Sequence, residues 1–229
     1  MTRVLDILPE NPQGKDFLVG DLHGYLDELL EKLNISGFDP SCDRLLAVGD
    51  LIDRGPDSLG CLELLKEPWF FSVQGNHERF LVASMAGDTD AQLIWLLNGG
   101  RWSKHYSEAR LLEAAELIED KMPLAFELGF KAQRLGIVHA EVPEDDWNIL
   151  RSWQGPPDAS LLEFTTCRRT RLRVGLQNPV SNIDQVFCGH SLVEQPLTLG
   201  NVHYLETGIC ASQLGGYLTL IEARDLLLP

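Results

Sequence analysis

The chain has 229 residues, a net charge of −15 and five cysteines, and these values exclude several classes of protein. The carboxylate surplus leaves no basic excess to neutralise a nucleic-acid backbone, so no nucleic-acid partner is expected. No segment approaches the ~20 apolar residues that cross a bilayer, and residues 1–14 lack the apolar core of a secretory signal, so no membrane partner is expected either. The odd number and wide spacing of the cysteines argue against a disulfide framework and favour a reducing cytoplasm.

Up to about residue 86 the sequence alternates between strand, loop and helix patterns. Short apolar runs predict strands at residues 17–19, 45–48 and 70–73. Leucines at helical spacing predict amphipathic helices after the first two strands, near residues 26–33 and 59–65. A third helix is expected after the third strand, so this part of the chain contains three β-loop-α units.

From residue 90 to residue 121 the pattern becomes helical and predicts two Leu- and Ala-rich helices that form a small helical cap beside the sheet. Further strands are predicted at residues 124–126, 135–138, 185–188, 202–205 and 217–221. Residues 140–182 are the least regular part and predict a long loop, functional or mobile. With no internal repeat or low-complexity segment, one domain of residues 1–229 is expected.

Three polar runs lie directly after the first three predicted strands. They are Gly-Asp-Leu-His-Gly at 20–24, Gly-Asp-Leu-Ile-Asp-Arg-Gly at 49–55 and Gly-Asn-His-Glu at 75–78. In open α/β sheets the carboxyl ends of the strands are where ligands bind. The runs therefore bring carboxylates, an amide oxygen and imidazoles to one edge of the sheet.

Six side chains of metal-ligand type follow strand-like runs, and five of these residues lie next to a glycine or one residue away from it. They are Asp21, His23, Asp50, Asn76, His139 and His190. The two oxygens of the Asp50 carboxylate could bridge two cations. A mixed nitrogen and oxygen set favours manganese, iron or zinc over magnesium alone. Taken singly, the Asp and Asn residues could instead be helix N-caps and the histidines structural. The combination predicts two divalent ions, Mn²⁺ first, with Fe, Zn, Ni or Co as alternatives.

The motifs together resemble the phosphoprotein phosphatase family of metallophosphoesterases, in particular the bacterial and phage group represented by the bacteriophage lambda protein phosphatase. The similarity runs from about Phe17 to about Glu222 and includes the three polar runs, Val-His-Ala at 138–140 and Gly-His-Ser at 189–191. The tract 96–102, Leu-Leu-Asn-Gly-Gly-Arg-Trp, and the segment 204–208 are also similar to that group. The resemblance implies an α/β fold in which a two-sheet β-sandwich is flanked by helices.

The resemblance also implies a role for each motif residue. The first metal would be bound by Asp21 and His23, the second by Asn76, His139 and His190, with Asp50 bridging the two.

For the chemistry, the family pattern implies that His77 is the proton donor, that Asp53 is its partner and that Arg54 holds the phosphate. A second phosphate-binding arginine would come from the long loop, where Arg169 is the best alignment. The alternatives in the same run are Arg168 and Arg171.

These parts predict metal-dependent hydrolysis of phosphate monoesters in phosphorylated proteins or small phosphorylated substrates. Two cations about 3.5–4 Å apart can share a water and lower its pKa toward about 7, which gives a bridging hydroxide that attacks phosphorus directly. A serine or threonine alkoxide needs a proton on leaving, and general acid catalysis by His77 is worth about 10²–10⁴ in rate. The sequence therefore predicts a serine/threonine phosphatase without a phosphoenzyme.

Three other functions remain open at this stage. A symmetrical dinucleoside tetraphosphate hydrolase shares these motifs, but that group usually has alanine at the position of Asp53 and aspartate at that of Glu78. A broad-specificity small-molecule phosphoesterase would use the same residues. A degenerate, non-catalytic binding module would usually have lost ligands or the histidine, and here all are present.

Overall fold

The computed structural model of the chain describes residues 2–226, in which two β-sheets face each other. The larger sheet has six strands in the order β1-β5-β6-β7-β9-β8, and the smaller has four in the order β10-β2-β3-β4. The strands are β1 Leu5–Leu8, β2 Asp16–Val19, β3 Arg44–Ala47, β4 Phe70–Ser72, β5 Ala125–Phe130, β6 Gln133–Val138, β7 Gln185–Cys188, β8 Leu197–Leu199, β9 Val202–Tyr204 and β10 Leu220–Glu222.

Helices cover the outer face of each sheet. The α-helices are α1 Leu26–Ser36, α2 Ser58–Glu63, α3 Asn76–Met85, α4 Thr89–Leu97, α5 Glu108–Lys121, α6 Trp147–Ser152, α7 Ala159–Cys167, α8 Thr170–Val174 and α9 Ala223–Leu226. Short 3₁₀ helices lie at Leu64–Lys66, Gly100–His105, Pro143–Asp145 and Ile209–Leu214. None of the helices in the described part of the chain is long and apolar enough to cross a bilayer.

The period-2 alternation of the strands explains why the molecule has layers. In β2, Phe17 and Val19 pack against the helices on the outer face, whereas Leu18 points into the space between the sheets. There it meets Phe126 and Ile137 of the larger sheet. Alternate side chains of a strand lie on opposite faces, so one strand contributes to two cores. The predicted α/β two-sheet sandwich flanked by helices is confirmed.

The pairing of the smaller sheet sets the position of the polar runs. β2, β3 and β4 are parallel neighbours, in register from Asp16 opposite Arg44 onward. Parallel strands end at the same edge, so the three loops that follow them are adjacent. In the larger sheet β6, β7 and β9 are also parallel, and β6 and β7 end at His139 and near His190. The β-loop-α prediction for residues 17–86 is confirmed.

The prediction of an irregular loop over residues 140–182 was wrong, because that segment contains α6, α7 and α8. Two of these helices begin at an aspartate cap: Asp146 accepts the N–H of Asn148, and Asp158 accepts that of Leu161. These helices have five to nine residues and fully bury at most two apolar side chains each, so they leave little periodicity in the sequence.

Strand predictions also missed β1 and β8, and β10 begins later than expected. β1 is an edge strand that pairs in parallel with β5, and its Ile7 is largely exposed. β8 is a three-residue edge strand paired with β9. Edge strands of this kind are short and half-exposed, so they do not show the alternation that identifies a strand from sequence.

Candidate metal centre and active site

The loops after β2, β3, β4, β6 and β7 surround a cleft of about 680 Å³ at one end of the sandwich. Seven of the ten residues singled out from the sequence line this cleft: Asp21, Asp50, Arg54, Asn76, His77, Arg169 and His190. The other three contact them directly. His23 contacts Arg54, His139 contacts Asn76, and Asp53 contacts His77. Residues up to 169 positions apart in sequence therefore lie at one site.

The buried Asp50 carboxylate joins two sets of donor atoms. On one side its Oδ2 lies 3.8 Å from Nε2 of His23 and 3.8 Å from Nε2 of His77. On the other side its Oδ1 lies 3.4 Å from Nε2 of His139, and His190 completes that set. Asn76 Oδ1 lies 3.3 Å from the same His139 nitrogen. Each oxygen of Asp50 thus faces a different group of ligands, which is the arrangement a bridging carboxylate needs.

Backbone carbonyls fix the tautomers of three histidines. A carbonyl oxygen can only accept, so the ring nitrogen facing it must carry the proton. His23 Nδ1 donates to Ile52 O at 2.9 Å, His139 Nδ1 to Val48 O at 2.7 Å, and His190 Nε2 to Cys167 O at 2.9 Å. The lone pair on the other nitrogen of each ring is left for a ligand, and this is the usual outer-shell support of a metal-binding imidazole.

Burial shapes the charge state of these groups. Burial lowers the pKa of His23 to about 3 and that of His190 to about 3, so both rings are neutral at physiological pH. Burial also raises the pKa of Asp21 well above its usual range, with the Glu206 carboxylate adding to the effect. For Asp50 burial works in the same direction, but the imidazoles of His139 and His77 outweigh it and hold its pKa well below the usual range.

Two contacts differ from the ligand sets that the family resemblance implies. The first donor set contains His77 where the resemblance places Asp21. Asp21 instead accepts the backbone N–H of His190 at 3.1 Å, while still lining the cleft. Arg54 Nη1 lies 2.7 Å from His23 Nε2, and its Nη2 lies 3.0 Å from His77 Nε2. The guanidinium therefore faces the nitrogen through which His23 would bind a metal.

Backbone strain is concentrated at this site. Non-glycine residues in the left-handed region cost on the order of 1–3 kcal/mol each, and they persist where surrounding contacts hold them. Five of the nine such residues in the described chain belong to the site: His23, Asp50, Asp53, Arg54 and His190, with φ between 45° and 76°.

Glu78 is one source of the contacts that hold this backbone. Its buried carboxylate accepts the N–H groups of Asp50, Leu51 and Gly75 at 2.8–3.0 Å. It thereby ties the loop after β3 to the start of α3. Gly75 is required there because a Cβ at this position would lie 2.0 Å from Asp50 Oδ1. Burial, together with the charge of Asp50, raises the pKa of Glu78 to about 7.

A buried pair of side chains stands beside the metal donors. His77 Nδ1 lies 2.5 Å from Asp53 Oδ2, and both residues are almost fully buried. Burial alone would lower the pKa of His77, but the Asp50 and Asp53 carboxylates outweigh burial and raise it. The ring presents Nε2 to the cleft, and Asp53 holds the opposite nitrogen. This geometry suits a proton donor that is oriented by a carboxylate.

The structure separates the arginines of the loop run. Arg168 stacks on Phe164 and pairs with Glu163 outside the cleft. Arg171 is buried and donates to Asp145 at 2.7 Å. Arg169 lies in the cleft, and its Nη2 donates to the carbonyl of His190 at 3.1 Å. Of the three candidates for a second phosphate-binding arginine, Arg169 is the one that faces the site.

The donor set fits two divalent transition-metal ions. It combines buried carboxylates, an amide oxygen and imidazoles whose free nitrogens face the cleft, and the shared Asp50 places one oxygen toward each set. Nitrogen-containing sets of this kind suit manganese, iron or zinc.

Comparison with known proteins agrees with this geometry. Residues 17–194 match the family model described as calcineurin-like phosphoesterase. "Serine/threonine-protein phosphatase 1" of Salmonella typhimurium is 35% identical over 213 residues, which is 91% of this chain and 91% of that protein. The chain belongs to the calcineurin-like phosphoesterase family. It is therefore a metallophosphoesterase, a family that uses divalent metal ions, as the motifs predicted.

Two further comparisons concern the tetraphosphate-hydrolase alternative for this phosphoesterase. The symmetrical bis(5'-nucleosyl)-tetraphosphatase of Yersinia pestis (strain Pestoides F) is 47% identical, but over 73 residues, 31% of this chain and 25% of that protein. A solved structure described as a candidate diadenosine tetraphosphatase superposes with a TM-score of 0.63 at 22% identity, covering 97% of this chain and 95% of that one. The first similarity is partial, and the second shows the shared fold alone.

Sequence reasoning missed several residues of the phosphoesterase site. Glu78 was used to recognise the family, but not as the organiser of the Asp50 loop. Its position three residues after Gly75, at the start of a helix, is a capping signal that could have suggested this role. Trp95 and Trp102 both donate to Asp53, but sequence reasoning gave neither a role, although Trp102 lies in the tract 96–102 that resembles the family. Glu206 lines the cleft, with no metal-ligand motif to mark it.

The two histidines to which no role was assigned lie outside the site. His105 ends the 3₁₀ helix after α4. His203 lies in β9, where its ring stacks on Phe187 and contacts Gln185 and Thr198. Neither residue lines the cleft, so the four histidines of the phosphoesterase site stand apart from the other two in the chain.

Proposed function

We propose that this phosphoesterase is a serine/threonine protein phosphatase. The observation that carries the proposal is the buried Asp53–His77 pair beside two donor sets that share Asp50. Alkyl phosphates such as phosphoserine need such a proton donor because their leaving oxygen is strongly basic. Support comes from the relative named for this activity, which is similar over 91% of both chains.

The metals of the proposed site would be held by the residues that converge at the strand ends. We assign Asp21 and His23 to one ion, Asn76, His139 and His190 to the other, and Asp50 to both. Two divalent ions supply Lewis acidity that activates water and offsets phosphoryl charge. Manganese is the proposed ion because the set mixes imidazole with oxygen donors.

The remaining side chains act on the substrate. Arg54 and Arg169 both line the cleft and bind the phosphoryl oxygens, for which the planar guanidinium offers two parallel donors. His77 gives its Nε2 proton to the leaving serine or threonine oxygen. Asp53 holds Nδ1 so that Nε2 keeps facing the cleft. The cytoplasmic location remains a prediction from the cysteine pattern.

A comparison of substrates tests the proposal. The manganese-loaded protein should hydrolyse phosphoserine peptides faster than diadenosine tetraphosphate or sugar phosphates, as measured by kcat/KM. Preference for the dinucleotide would favour the tetraphosphatase alternative, and equal rates on small phosphates would favour a broad phosphoesterase. No hydrolysis of p-nitrophenyl phosphate after metal loading would support the non-catalytic binding module.

A substitution tests the role of His77 within that function. His77→Asn should lower kcat for a phosphoserine peptide by about 10²-fold or more, and for p-nitrophenyl phosphate by much less. The reason is that p-nitrophenolate is a weak base and leaves without a proton. Equal losses on both substrates would remove His77 from the general-acid role while leaving the phosphatase assignment intact.

A further inference from the structure

The tract 96–102 matched the phosphatase group in sequence, yet none of its residues is a metal donor or phosphate-binding group. In the structure it connects α4 to the 3₁₀ helix Gly100–His105 and lies directly behind the loop that carries Asp53 and Arg54. Trp95, near the end of α4, and Trp102, in the 3₁₀ helix, frame this tract. Both indoles reach the same carboxylate.

Asp53 receives three N–H donors. Trp102 Nε1 donates to Oδ1 at 2.6 Å, and Trp95 Nε1 lies 3.0 Å from both oxygens. His77 Nδ1 takes the remaining position on Oδ2 at 2.5 Å. Trp95 is 1% exposed and Trp102 is half-buried, but Asp53 is 0% exposed, so solvent does not reach its acceptor oxygens. The carboxylate is hydrogen-bonded on both oxygens from two directions.

Two glycines make this approach possible. A Cβ on Gly99 would lie 2.9 Å from the backbone nitrogen of Arg54 and 3.2 Å from Cβ of Asp53, and its φ of +121° suits glycine. A Cβ on Gly100 would lie 2.6 Å from Nε1 of Trp95. The glycine pair therefore lets the tract close on the strained Asp53 backbone and bring the indoles within hydrogen-bonding range.

We propose that Trp95 and Trp102 are positioning residues for general acid catalysis, which fix the plane of the Asp53 carboxylate and through it the orientation of the His77 ring. The torsion that turns a carboxylate is soft, so a single bond from His77 would leave the plane undefined. Two indoles held edge to face, with ring centroids 5.9 Å apart, define it. Proton transfer is sensitive to such orientation.

The same chain provides a matched control. Trp147 of α6 is fully buried and donates from Nε1 to Glu127 Oε2 at 2.8 Å, on the opposite flank of the molecule. The bond has the same chemistry, and its burial matches that of the Trp95 bond, but Glu127 is paired with Arg151 instead of a histidine in the cleft. Trp147→Phe should therefore affect stability and leave proton transfer unchanged.

The kinetic test rests on the proposed phosphatase function and compares two leaving groups. In Trp95→Phe and Trp102→Phe, kcat for a phosphoserine peptide should fall about tenfold, part of the full general-acid contribution, with KM within about twofold. The fall for p-nitrophenyl phosphate should be clearly smaller. In Trp147→Phe the ratio of the two rates should match that of the unmodified protein.

A second readout does not depend on activity. The imidazole ¹⁵N shifts of His77, recorded on the metal-free protein, should change in Trp95→Phe and Trp102→Phe but not in Trp147→Phe. Benzothienylalanine at position 102 keeps the shape of the indole without its N–H, so it separates the hydrogen bond from packing if a Phe variant fails to fold. In that variant, a larger fall in kcat for the phosphoserine peptide than for p-nitrophenyl phosphate supports the proposal.

Unchanged rate ratios and unchanged His77 shifts in the benzothienylalanine protein would overturn it. If the unmodified protein does not hydrolyse phosphoserine peptides at all, the phosphatase assignment fails instead. In that case the ¹⁵N shifts alone decide whether the indoles orient the His77 ring.

Discussion

Two buried carboxylates on opposite flanks of the molecule accept an indole N–H, yet their environments differ. Asp53 accepts hydrogen bonds from the indoles of Trp95 and Trp102 and from the imidazole of His77, which faces the cleft. Glu127 accepts the indole N–H of Trp147 and pairs with Arg151 and Arg134, neither of which lines the cleft. If the proposed roles hold, the same hydrogen bond serves catalysis in one region and packing in the other, and the difference lies in the other partner of the carboxylate.

The largest effect is expected from removing the negative charge of the carboxylate that contacts His77. Asp53→Asn should lower kcat for phosphoserine peptides by about 10²-fold, because an amide no longer holds His77 in its donating orientation. Bound manganese, measured by elemental analysis, should stay at the unmodified value, since Asp53 is not among the proposed ligands. Loss of metal together with activity would contradict the assigned role.

The matching change at Glu127 should lower stability and leave catalysis unchanged. Glu127→Gln should lower the free energy of unfolding by about 2 kcal/mol, because Arg151 loses a charged partner in a mostly buried site. Urea unfolding measures this effect. The kcat for phosphoserine peptides should remain within twofold, and a larger fall would show that the two flanks are coupled.

The histidines also divide into residues of the site and residues outside it, and His203, which lies outside it, should affect how stability depends on pH. Burial lowers the pKa of His203 to about 4, below its ordinary value near 6.5. Between pH 6.5 and pH 4 the imidazole is protonated in the unfolded chain but neutral in the folded protein. The stability that is present above about pH 6.5 is therefore lost as the pH falls toward 4. The loss should reach about 2 kcal/mol near pH 4.5. Urea unfolding of metal-free protein should show a shallower pH dependence in His203→Gln; an identical one would refute this origin.

The smallest expected effect concerns the arginines at the cleft. Arg173 lies one helical turn after Arg169, lines the cleft, and is exposed without a carboxylate partner among the described residues. Arg173→Ala should raise KM about threefold for phosphopeptides with an acidic residue beside the phosphoserine, with kcat unchanged. Arg168→Ala is the control, because Arg168 stacks on Phe164 outside the cleft. Equal KM changes in both variants would indicate a general charge effect.

Much of the catalytic end could be predicted because its residues follow strands. Short apolar runs identified β2, β3, β4, β6 and β7, and polar residues directly after parallel strands meet at one edge. The helices α6, α7 and α8 could not be predicted, because they are short and are held mainly by caps and a few buried side chains. In helices of five to nine residues, the helix propensity of the sequence says little about whether a helix forms.

The sequence by itself determined which chemical groups the site contains and that they gather at the ends of the strands, since the polar motifs stand directly after short apolar runs that form parallel strands. Only the tertiary structure decided how neighbouring residues of one type are used: Arg169 in the cleft but Arg171 in the core, Trp102 on Asp53 but Trp147 on Glu127. The physical reason is that a side chain's partner is set by long-range packing. An arginine or indole has the same chemistry everywhere until the fold places an acceptor beside it.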